Sequence, residues 1–367
     1  MKDLIYYNPR IVTEFEKENL PGLQRFFTFY KIFDISSGFI DRTQTIKLPV
    51  RTKLLYPIPE FKKFTKTFEE VCNERAQELL EMAKKRDCKI FTFYSGGIDS
   101  TLMMVSMLKV FKEEDLSRII VLLSEESIKE NPNFYEKSIR GKLKTHSSNA
   151  YTYLFNTKDI FLLAENNDQL FGSDAVGDLI KEYGETVIHQ PYNRKLFFDF
   201  FSSRIGGPTE VDFFLDIFEK QNKAAPIPIN TNFLFLWWIN FSCRWQGVAV
   251  RPIAKIDDSI LQKNGNLGVE YIDRNLICFY NTPDFQLWSL NNPDKRIKDK
   301  WNTYKYVCKD IIYDYTQDAD YRDNKLKIGS LKKIMRNKKG FTFIDSQFNF
   351  YTDLETSDYY NSDNDFK

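Results

Sequence analysis

"FTFYSGGIDSTLMM", residues 91–104, joins an aromatic apolar run to a second apolar run through two glycines. The short run "CKIFTFY" (88–94) predicts a buried strand, and "TLMMVSMLKVFKEE" after the glycines predicts a helix. Gly96 and Gly97 permit the backbone angles of a sharp turn between them. Because the amides of such a turn and the following helix N-terminus attract anions, the stretch predicts a strand, loop and helix that bind an anion.

Two further apolar runs extend this unit into a sheet. "SRIIVLLS" (117–124) and "DIFLLAE" (159–165) each predict a buried strand. Strand, helix and strand at this spacing form a βαβ unit, which seeds a parallel sheet. "FEEVCNERAQELLEMAKK" (68–85) predicts an amphipathic helix before the first strand. The expected fold class is α/β, with a doubly wound, mainly parallel sheet, added helices and a small N-terminal extension.

The chain divides by sequence into three segments. Residues 1–70 predict an N-terminal extension of strands or extended segments, β-rich and with no strong helix. Residues 71–340 form the main domain, and residues 341–367 form an acidic C-terminal tail. Within the main domain, residues 190–255 are aromatic-rich and predicted to be helical, and these aromatics favour a core over a ligand cage. Further helices are predicted at "FQLWSL" and "NTYKYVCKDIIYDY".

The composition limits the classes of protein to which the chain can belong. The 52 basic and 51 acidic residues balance, so we expect no nucleic-acid partner. The N-terminus lacks the apolar core of a signal peptide, and the longest apolar stretch, "FLFLWWINF" (233–241), is too short to cross a bilayer. The five cysteines form no CxxC pair, which disfavours a zinc site or disulfide framework: Cys72, Cys88, Cys243, Cys278 and Cys308. We expect a cytoplasmic protein with no membrane partner.

A carboxylate in the glycine loop adds a chemical constraint. Ser95, Ser100 and Thr101 offer hydroxyl groups that suit a phosphate, whereas Asp99 repels one unless a cation lies between them. The arrangement therefore implies magnesium bridging Asp99 and phosphate oxygens. The loop lacks GxxxxGK[ST] and GxGxxG, which disfavours a Walker A site and a dinucleotide site.

The stretch "SGGIDST" resembles, residue for residue, the pyrophosphate-binding loop of the N-type ATP pyrophosphatases, also called the PP-loop family. These enzymes cleave ATP between the α and β phosphates on an adenine nucleotide alpha hydrolase-like fold. The resemblance implies ATP and Mg²⁺ as cofactors. It places pyrophosphate on Ser95, Gly96, Gly97, Ser100 and Thr101, with magnesium on Asp99. The alternative is a Ser/Gly turn that merely precedes a helix.

A second loop, "LLAENNDQLFGSD" (162–174), is similar to an asparagine synthetase segment. On this match Glu165 is the acid near the reacting carbonyl, and Asp168 is the second magnesium-binding carboxylate. Asn tolerates positive φ, so Asn166 can keep a turn that the family makes with glycine. The loop departs from the family at Ala164, Asn166, Gln169 and Ser173. The alternative is an acidic helix N-terminus that only stabilises the helix dipole.

A third stretch, residues 280–310, resembles the asparagine synthetase run that ends in Lys-x-x-x-Arg. Lys305 falls on the lysine that contacts pyrophosphate and the adenylated intermediate, while Lys309 replaces the arginine. Charge accumulates on departing pyrophosphate, which a lysine stabilises. Ser124, at the end of the second predicted strand, lies where such folds contact adenosine. An exposed surface lysine and an ordinary strand-end serine are the alternatives.

The resemblance implies an AMP-forming, ATP-dependent C–N ligase of the asparagine synthetase type. Glu165 and Lys305 are its candidate catalytic residues, and its small-molecule substrates are an acid and an amine or ammonia. Residue 2 is Lys2 and not the cysteine of a glutaminase domain, so the resemblance implies free ammonia, an amine of the substrate, or ammonia from a separate partner as the nucleophile. Two alternatives stay open: a PP-loop enzyme that modifies a nucleobase or tRNA, and a non-catalytic nucleotide-binding protein.

Overall fold

The computed structural model describes residues 1–8, 20–33, 38–205, 207–265, 267–325 and 340–367. Its contacts divide the chain into two compact units. The sheet unit contains Lys62–Asn167 and Lys255–Gly340, and the helical unit contains Met1–Phe61, Asp168–Ala254 and Phe341–Lys367. The helical unit thus takes residues from all three segments that the sequence order suggests.

The described residues form eight strands, which we number in chain order: β1 (Leu4–Tyr7), β2 (Ile90–Phe93), β3 (Ile119–Leu123), β4 (Lys144–Ser147), β5 (Ile160–Leu163), β6 (Leu276–Cys278), β7 (Phe343–Asp345) and β8 (Phe350–Tyr351). Strands β2, β3 and β5 confirm the three predicted strands. Almost all of their apolar side chains are buried. A strand that is covered on both faces needs such a continuous apolar run.

The sheet unit is built on a five-stranded sheet of order β4–β3–β2–β5–β6. All its pairings are parallel, with Ile90 opposite both Ile119 and Ile160. The chain starts at the central strand β2, moves outward through β3 to β4, and then returns to place β5 and β6 on the other side of β2. The strand order therefore reverses between β2 and β5, and the expected α/β class with a parallel sheet is confirmed.

Helices of the sheet unit connect these strands. The predicted amphipathic helix is Phe68–Arg86, and Thr67 and Glu70 begin it with a reciprocal capping box. Among the described residues, the other helices of this unit are Ile98–Val110, Glu113–Leu116, Glu125–Glu130, Pro132–Phe134, Tyr135–Ile139, Ser148–Ala150, Tyr151–Leu154, Asp258–Asn264, Glu270–Arg274, Pro283–Asn291, Pro293–Lys295, Trp301–Thr303, Tyr306–Thr316 and Ala319–Asn324. Two short helices, Asn167–Phe171 and Ile253–Lys255, contain boundaries between the units.

The helical unit combines a small antiparallel sheet of order β1–β7–β8 with helices. The helices in the part of this unit that the structure describes are Leu23–Phe33, Asp174–Tyr183, Glu185–His189, Arg194–Ser202, Pro208–Asn222, Asn232–Cys243, Trp245–Val250 and Thr356–Tyr359. Trp237, Trp238 and Trp245 have no exposed surface, which confirms that these aromatics belong to a core. Across the described ranges, no helix combines the length and the apolar character needed to cross a membrane.

Two parts of the helical unit differ from the sequence expectations. The expectation of no strong helix before residue 70 is wrong, because Leu23–Phe33 is helical and buries Leu23, Phe26 and Phe27 on one face. The acidic tail contributes an apolar contact. Phe366 is buried, with its ring centroid 5.0 Å from that of Phe26 in an edge-on arrangement.

Candidate functional site

The candidate site lies where β2 and β5 end. In open parallel sheets, ligands bind outside the carboxyl ends of the strands, where the strand order reverses. In this sheet that edge carries two segments, the glycine loop (residues 94–97) after β2 and the β5 turn (residues 164–167) after β5. Both segments were selected from the sequence, and the topology brings them to neighbouring strands of the sheet unit.

The backbone of the glycine loop depends on Gly96. Its φ of +74° lies in the left-handed region, and a Cβ there would overlap the Ser127 carbonyl oxygen and lie 2.7 Å from Glu130 Cβ. Gly97 is the N-cap of helix Ile98–Val110 and provides no side chain to cap it. No side chain at Gly97 therefore caps the amides of the first helical turn. A helix N-terminus with uncapped amides is a favourable place for an anion.

Hydroxyl groups hold the glycine loop together from within. Ser95 N–H donates to Ser100 Oγ at 3.1 Å, and the two hydroxyl oxygens lie 2.9 Å apart. Gly97 N–H donates to Ser95 Oγ at 3.3 Å, and Ser100 Oγ donates to the Gly97 carbonyl at 3.2 Å. Ser100 and Thr101 are buried and Ser95 is half-buried. Ser100 and Thr101 are thus buried behind the loop, and Ser95 has the most exposed of the three hydroxyl groups.

An ion pair joins two residues that the sequence selected separately. Lys305 Nζ lies 2.6 Å from Asp99 Oδ1, although 206 residues separate them in the chain. The Lys305 side chain is 3% exposed and that of Asp99 is 23% exposed. The Lys305 backbone has a φ of +59°, uncommon for a residue with a side chain, and its N–H donates to the Arg296 carbonyl at 2.9 Å. The backbone conformation of Lys305 and its hydrogen bond to Arg296 therefore hold the ammonium beside the glycine loop.

The β5 turn supplies a second contact to the same carboxylate. Asn166 has a φ of +74°, which confirms that it keeps the turn without a glycine. Asn167 Nδ2 donates to Asp99 Oδ1 at 2.6 Å and lies 3.7 Å from Cys308 Sγ. Glu165 is half-buried in this turn, and its catalytic role stays a prediction.

The donor set within the sheet unit fits a polyphosphate with its cation. It offers a buried ammonium, the amides of a helix start, one carboxylate and an amide oxygen. Asn167 Oδ1 is buried and, among the described residues, has no hydrogen-bond partner, and such oxygens suit a hard cation. Mg²⁺ at phosphate sites needs only one or two carboxylates beside phosphate and water oxygens. In the described ranges, no group of three His, Cys, Asp or Glu side chains could hold a metal ion by itself.

Asp168 lies at the other side of the unit boundary. It follows Asn167 directly and begins the helical unit, where its carbonyl accepts a bond from Asn240 Nδ2 at 3.3 Å. The magnesium site predicted on Asp99 and Asp168 would draw on both units and stays a prediction.

Ser124 has a local structural role. It is the N-cap of helix Glu125–Glu130, and its hydroxyl accepts the Ser127 N–H at 3.3 Å in a reciprocal capping pair. The contact with adenosine stays a prediction, and the capping bonds account for a serine at this strand end without it.

Two tyrosine hydrogen bonds and one ion pair near the glycine loop were not predicted from the sequence. Tyr280 OH donates to the Asp99 carbonyl at 2.8 Å, and Tyr321 OH lies 3.2 Å from the Gly96 carbonyl oxygen. Burial raises the pKa of both phenols well above the ordinary value, so both act as neutral donors. Lys325 Nζ lies 2.5 Å from Glu130 Oε1, and both side chains are buried. Isolated residues of common types carry no pattern that would reveal such contacts from the sequence.

Lys309 gives the sheet unit a pH-dependent stability. It is buried, and its Nζ donates to the Asn302 carbonyl at 2.5 Å. Burial lowers the pKa of Lys309 to about 8 from 10.5. Between these values the unfolded chain binds a proton that the native chain does not, so the free energy of unfolding rises with pH.

We expect Lys309→Met to remove this rise. The penalty for a charged buried lysine is complete below pH 8 and is gone above pH 10.5, so the wild-type protein gains stability across that window relative to the variant. Urea denaturation from pH 7 to pH 10.5 measures the difference. Lys84→Met, at a half-exposed lysine paired with Asp115, is the control and should keep the wild-type rise. Parallel curves for the wild type and Lys309→Met would contradict the prediction.

No protein-family model matches the chain, no curated protein matches it, and no solved structure matches it. The loop sequence and the contacts of this site are therefore the observations that bear on its chemistry.

Proposed function

We propose that the chain is an AMP-forming, ATP-dependent C–N ligase similar to asparagine synthetase. The observation that carries the proposal is the 2.6 Å contact between Lys305 Nζ and Asp99 Oδ1. Asp99 was selected because it demands a cation beside a phosphate loop, and Lys305 because it matches a lysine that stabilises pyrophosphate. The two residues are 206 positions apart in the chain, and the contact between them at the end of β2 is what the resemblance predicts for a lysine that acts beside the pyrophosphate loop.

The finer fold belongs to the same proposal. A central strand followed by the glycine loop, with strands added first on one side and then on the other, is the order of a doubly wound sheet. We propose the adenine nucleotide alpha hydrolase-like form of it. The parallel pairings of the five strands and the position of the glycine loop at the reversal support this assignment.

The residues of the site would divide the first half-reaction between them. Pyrophosphate would lie against the amides of Gly97 and the first helical turn, with the Ser95 hydroxyl beside it. Lys305 would move its ammonium from the Asp99 carboxylate toward the phosphate oxygens as charge accumulates on the leaving group. Magnesium, when held at the Asp99 carboxylate, would supply neutralisation of phosphate charge. A substrate carboxylate would attack the α-phosphate, forming an acyl-adenylate and releasing pyrophosphate.

The second half-reaction needs a neutral amine. At neutral pH an ammonium or alkylammonium must lose a proton before it attacks the adenylate. Glu165, half-buried in the β5 turn, is the candidate that orients or deprotonates it. The nucleophile would be free ammonia, an amine of the substrate, or ammonia from a separate partner. Attack would expel AMP and leave an amide.

A substrate panel tests this function. We would incubate the protein with Mg-ATP, a set of carboxylic acids and either ammonia or primary amines, and measure pyrophosphate release. For an acid that reacts, ¹⁸O in its carboxylate should appear in the AMP phosphate, because that oxygen attacks the α-phosphate. Asp99→Ala should give only background release. Asp115→Ala removes a carboxylate that also pairs with a lysine and should behave as wild type. Release that does not depend on Asp99, or AMP without ¹⁸O, would contradict the proposal.

A further inference from the structure

Tyr321 lies behind the glycine loop and contacts the peptide that defines it. Its hydroxyl lies 3.2 Å from the Gly96 carbonyl oxygen and 3.3 Å from Thr101 Oγ1. A phenol has one proton, and a carbonyl can only accept, so Tyr321 donates to Gly96 and the Thr101 hydroxyl can donate to Tyr321. The buried phenol thus donates its one proton to the loop backbone.

The Tyr321 hydrogen bond holds one end of the peptide between Gly96 and Gly97. Peptide units are planar and trans, so the Gly96 carbonyl and the Gly97 N–H point in opposite directions. Tyr321 holds the carbonyl end, and Ser95 Oγ accepts the N–H at 3.3 Å. Rotation of this peptide would break both bonds at once. Tyr321 therefore sets the orientation of the Gly97 amide and of the Ser95 hydroxyl.

Tyr321 is itself held in place. Asp318 begins helix Ala319–Asn324, and its Oδ1 accepts the Tyr321 N–H at 3.0 Å. Asn133 Nδ2 donates to Asp318 Oδ2 at 2.8 Å, and the Asn131 side chain hydrogen bonds with the Tyr321 phenol. Lys325 pairs with Glu130, whose Cβ leaves no room for a side chain at Gly96.

We propose that Tyr321 is a positioning residue that holds the glycine loop in its pyrophosphate-binding conformation. The inference rests on the proposed function and adds a residue that touches no substrate atom. Its effect on the loop follows from the bond to the Gly96 carbonyl, which fixes the orientation of the peptide that carries the Gly97 amide.

Tyr321→Phe removes the hydroxyl and keeps the ring. Titration with magnesium pyrophosphate should show a dissociation constant about fivefold higher than that of the wild type, the ordinary effect of one hydrogen bond. Hydrogen exchange of residues 94–101 should become faster in the same variant. Tyr271→Phe is the matched control, since Tyr271 is also buried in the sheet unit and its OH donates to the Asn156 carbonyl at 3.1 Å. It should keep wild-type affinity for pyrophosphate.

The outcomes separate the two proposals. Equal pyrophosphate affinity in Tyr321→Phe and Tyr271→Phe, with tight binding by the wild type, would overturn the role of Tyr321 alone. A lower melting temperature with unchanged affinity would also overturn it, because that result shows a merely structural bond. A wild type that binds no pyrophosphate would overturn the proposed function and this inference together. Asp318→Ala provides a second variant if Tyr321→Phe does not fold, and it should weaken pyrophosphate binding to a smaller extent.

Discussion

Gly96→Ala is expected to abolish pyrophosphate binding and to destabilise the sheet unit by about 3 kcal/mol or more, since it combines backbone strain with overpacking. Gly96 has a φ of +74°, and an added Cβ would overlap the Ser127 carbonyl oxygen and approach Glu130 Cβ to 2.7 Å. The Ser127 carbonyl is backbone, so it cannot turn away as a flexible side chain would. Relief would require the loop to change its backbone angles, which would also displace the Gly97 amide.

Gly141→Ala separates strain from crowding. Gly141 has nearly the same φ, +71°, but a Cβ there would meet no atom within 4 Å. It should cost only about 1 kcal/mol, the strain of a left-handed residue, and should leave pyrophosphate affinity unchanged. Urea denaturation and pyrophosphate titration of both variants provide the measurement. Similar losses of stability in the two variants would show that crowding at Gly96 is not what fixes the loop.

Lys305→Met is expected to lower the rate of ATP turnover by a factor of about 10² to 10³, the usual effect of removing one group that stabilises transition-state charge. Methionine keeps the length of the buried side chain and removes its charge. Asp99 keeps its bond from Asn167 at 2.6 Å, so the carboxylate does not lose all of its support. Lys305→Arg should also be impaired, because a planar guanidinium does not fit a buried site shaped for an ammonium.

The control for Lys305→Met is Lys84→Met. Lys84 Nζ lies 2.9 Å from Asp115 Oδ2 in the same unit, in a pair that precedes β3. Its loss should leave turnover unchanged, since the pair lies away from the carboxyl ends of β2 and β5. Turnover that falls only in proportion to the folded fraction of Lys305→Met, measured by circular dichroism, would assign Lys305 a structural role.

The sequence predicted the centre of the sheet better than its edges. Strands β2, β3 and β5 are apolar runs, because neighbours cover both of their faces, and such runs are visible without a structure. Strand β4 (Lys144–Ser147) is polar and exposed at one edge, and β6 (Leu276–Cys278) at the other edge has only three residues. Neither carries a pattern that separates it from a loop. In the structure, β4 pairs with β3 and β6 pairs with β5.

The candidate site shows the same division. Asp99 could be selected from the sequence because its charge conflicts with the phosphate loop around it, and Lys305 because of the resemblance to a lysine motif. Asn167 and Tyr321 acquire their roles only through folding. Asn167 contacts Asp99 across 68 positions, and Tyr321 contacts Gly96 across 225. Nothing local marks an asparagine or a tyrosine for such a contact, whereas the phosphate loop is contiguous and defines its own chemistry.

Cleavage of ATP at the α-phosphate is the central claim, and ³¹P NMR of the products tests it most directly. The wild-type protein would be incubated with Mg-ATP and the panel of acids and amines, with Asp99→Ala as the background. We expect signals of AMP and pyrophosphate in equal amounts, which Asp99→Ala does not produce. Signals of ADP and inorganic phosphate in their place, dependent on Asp99, would contradict the account.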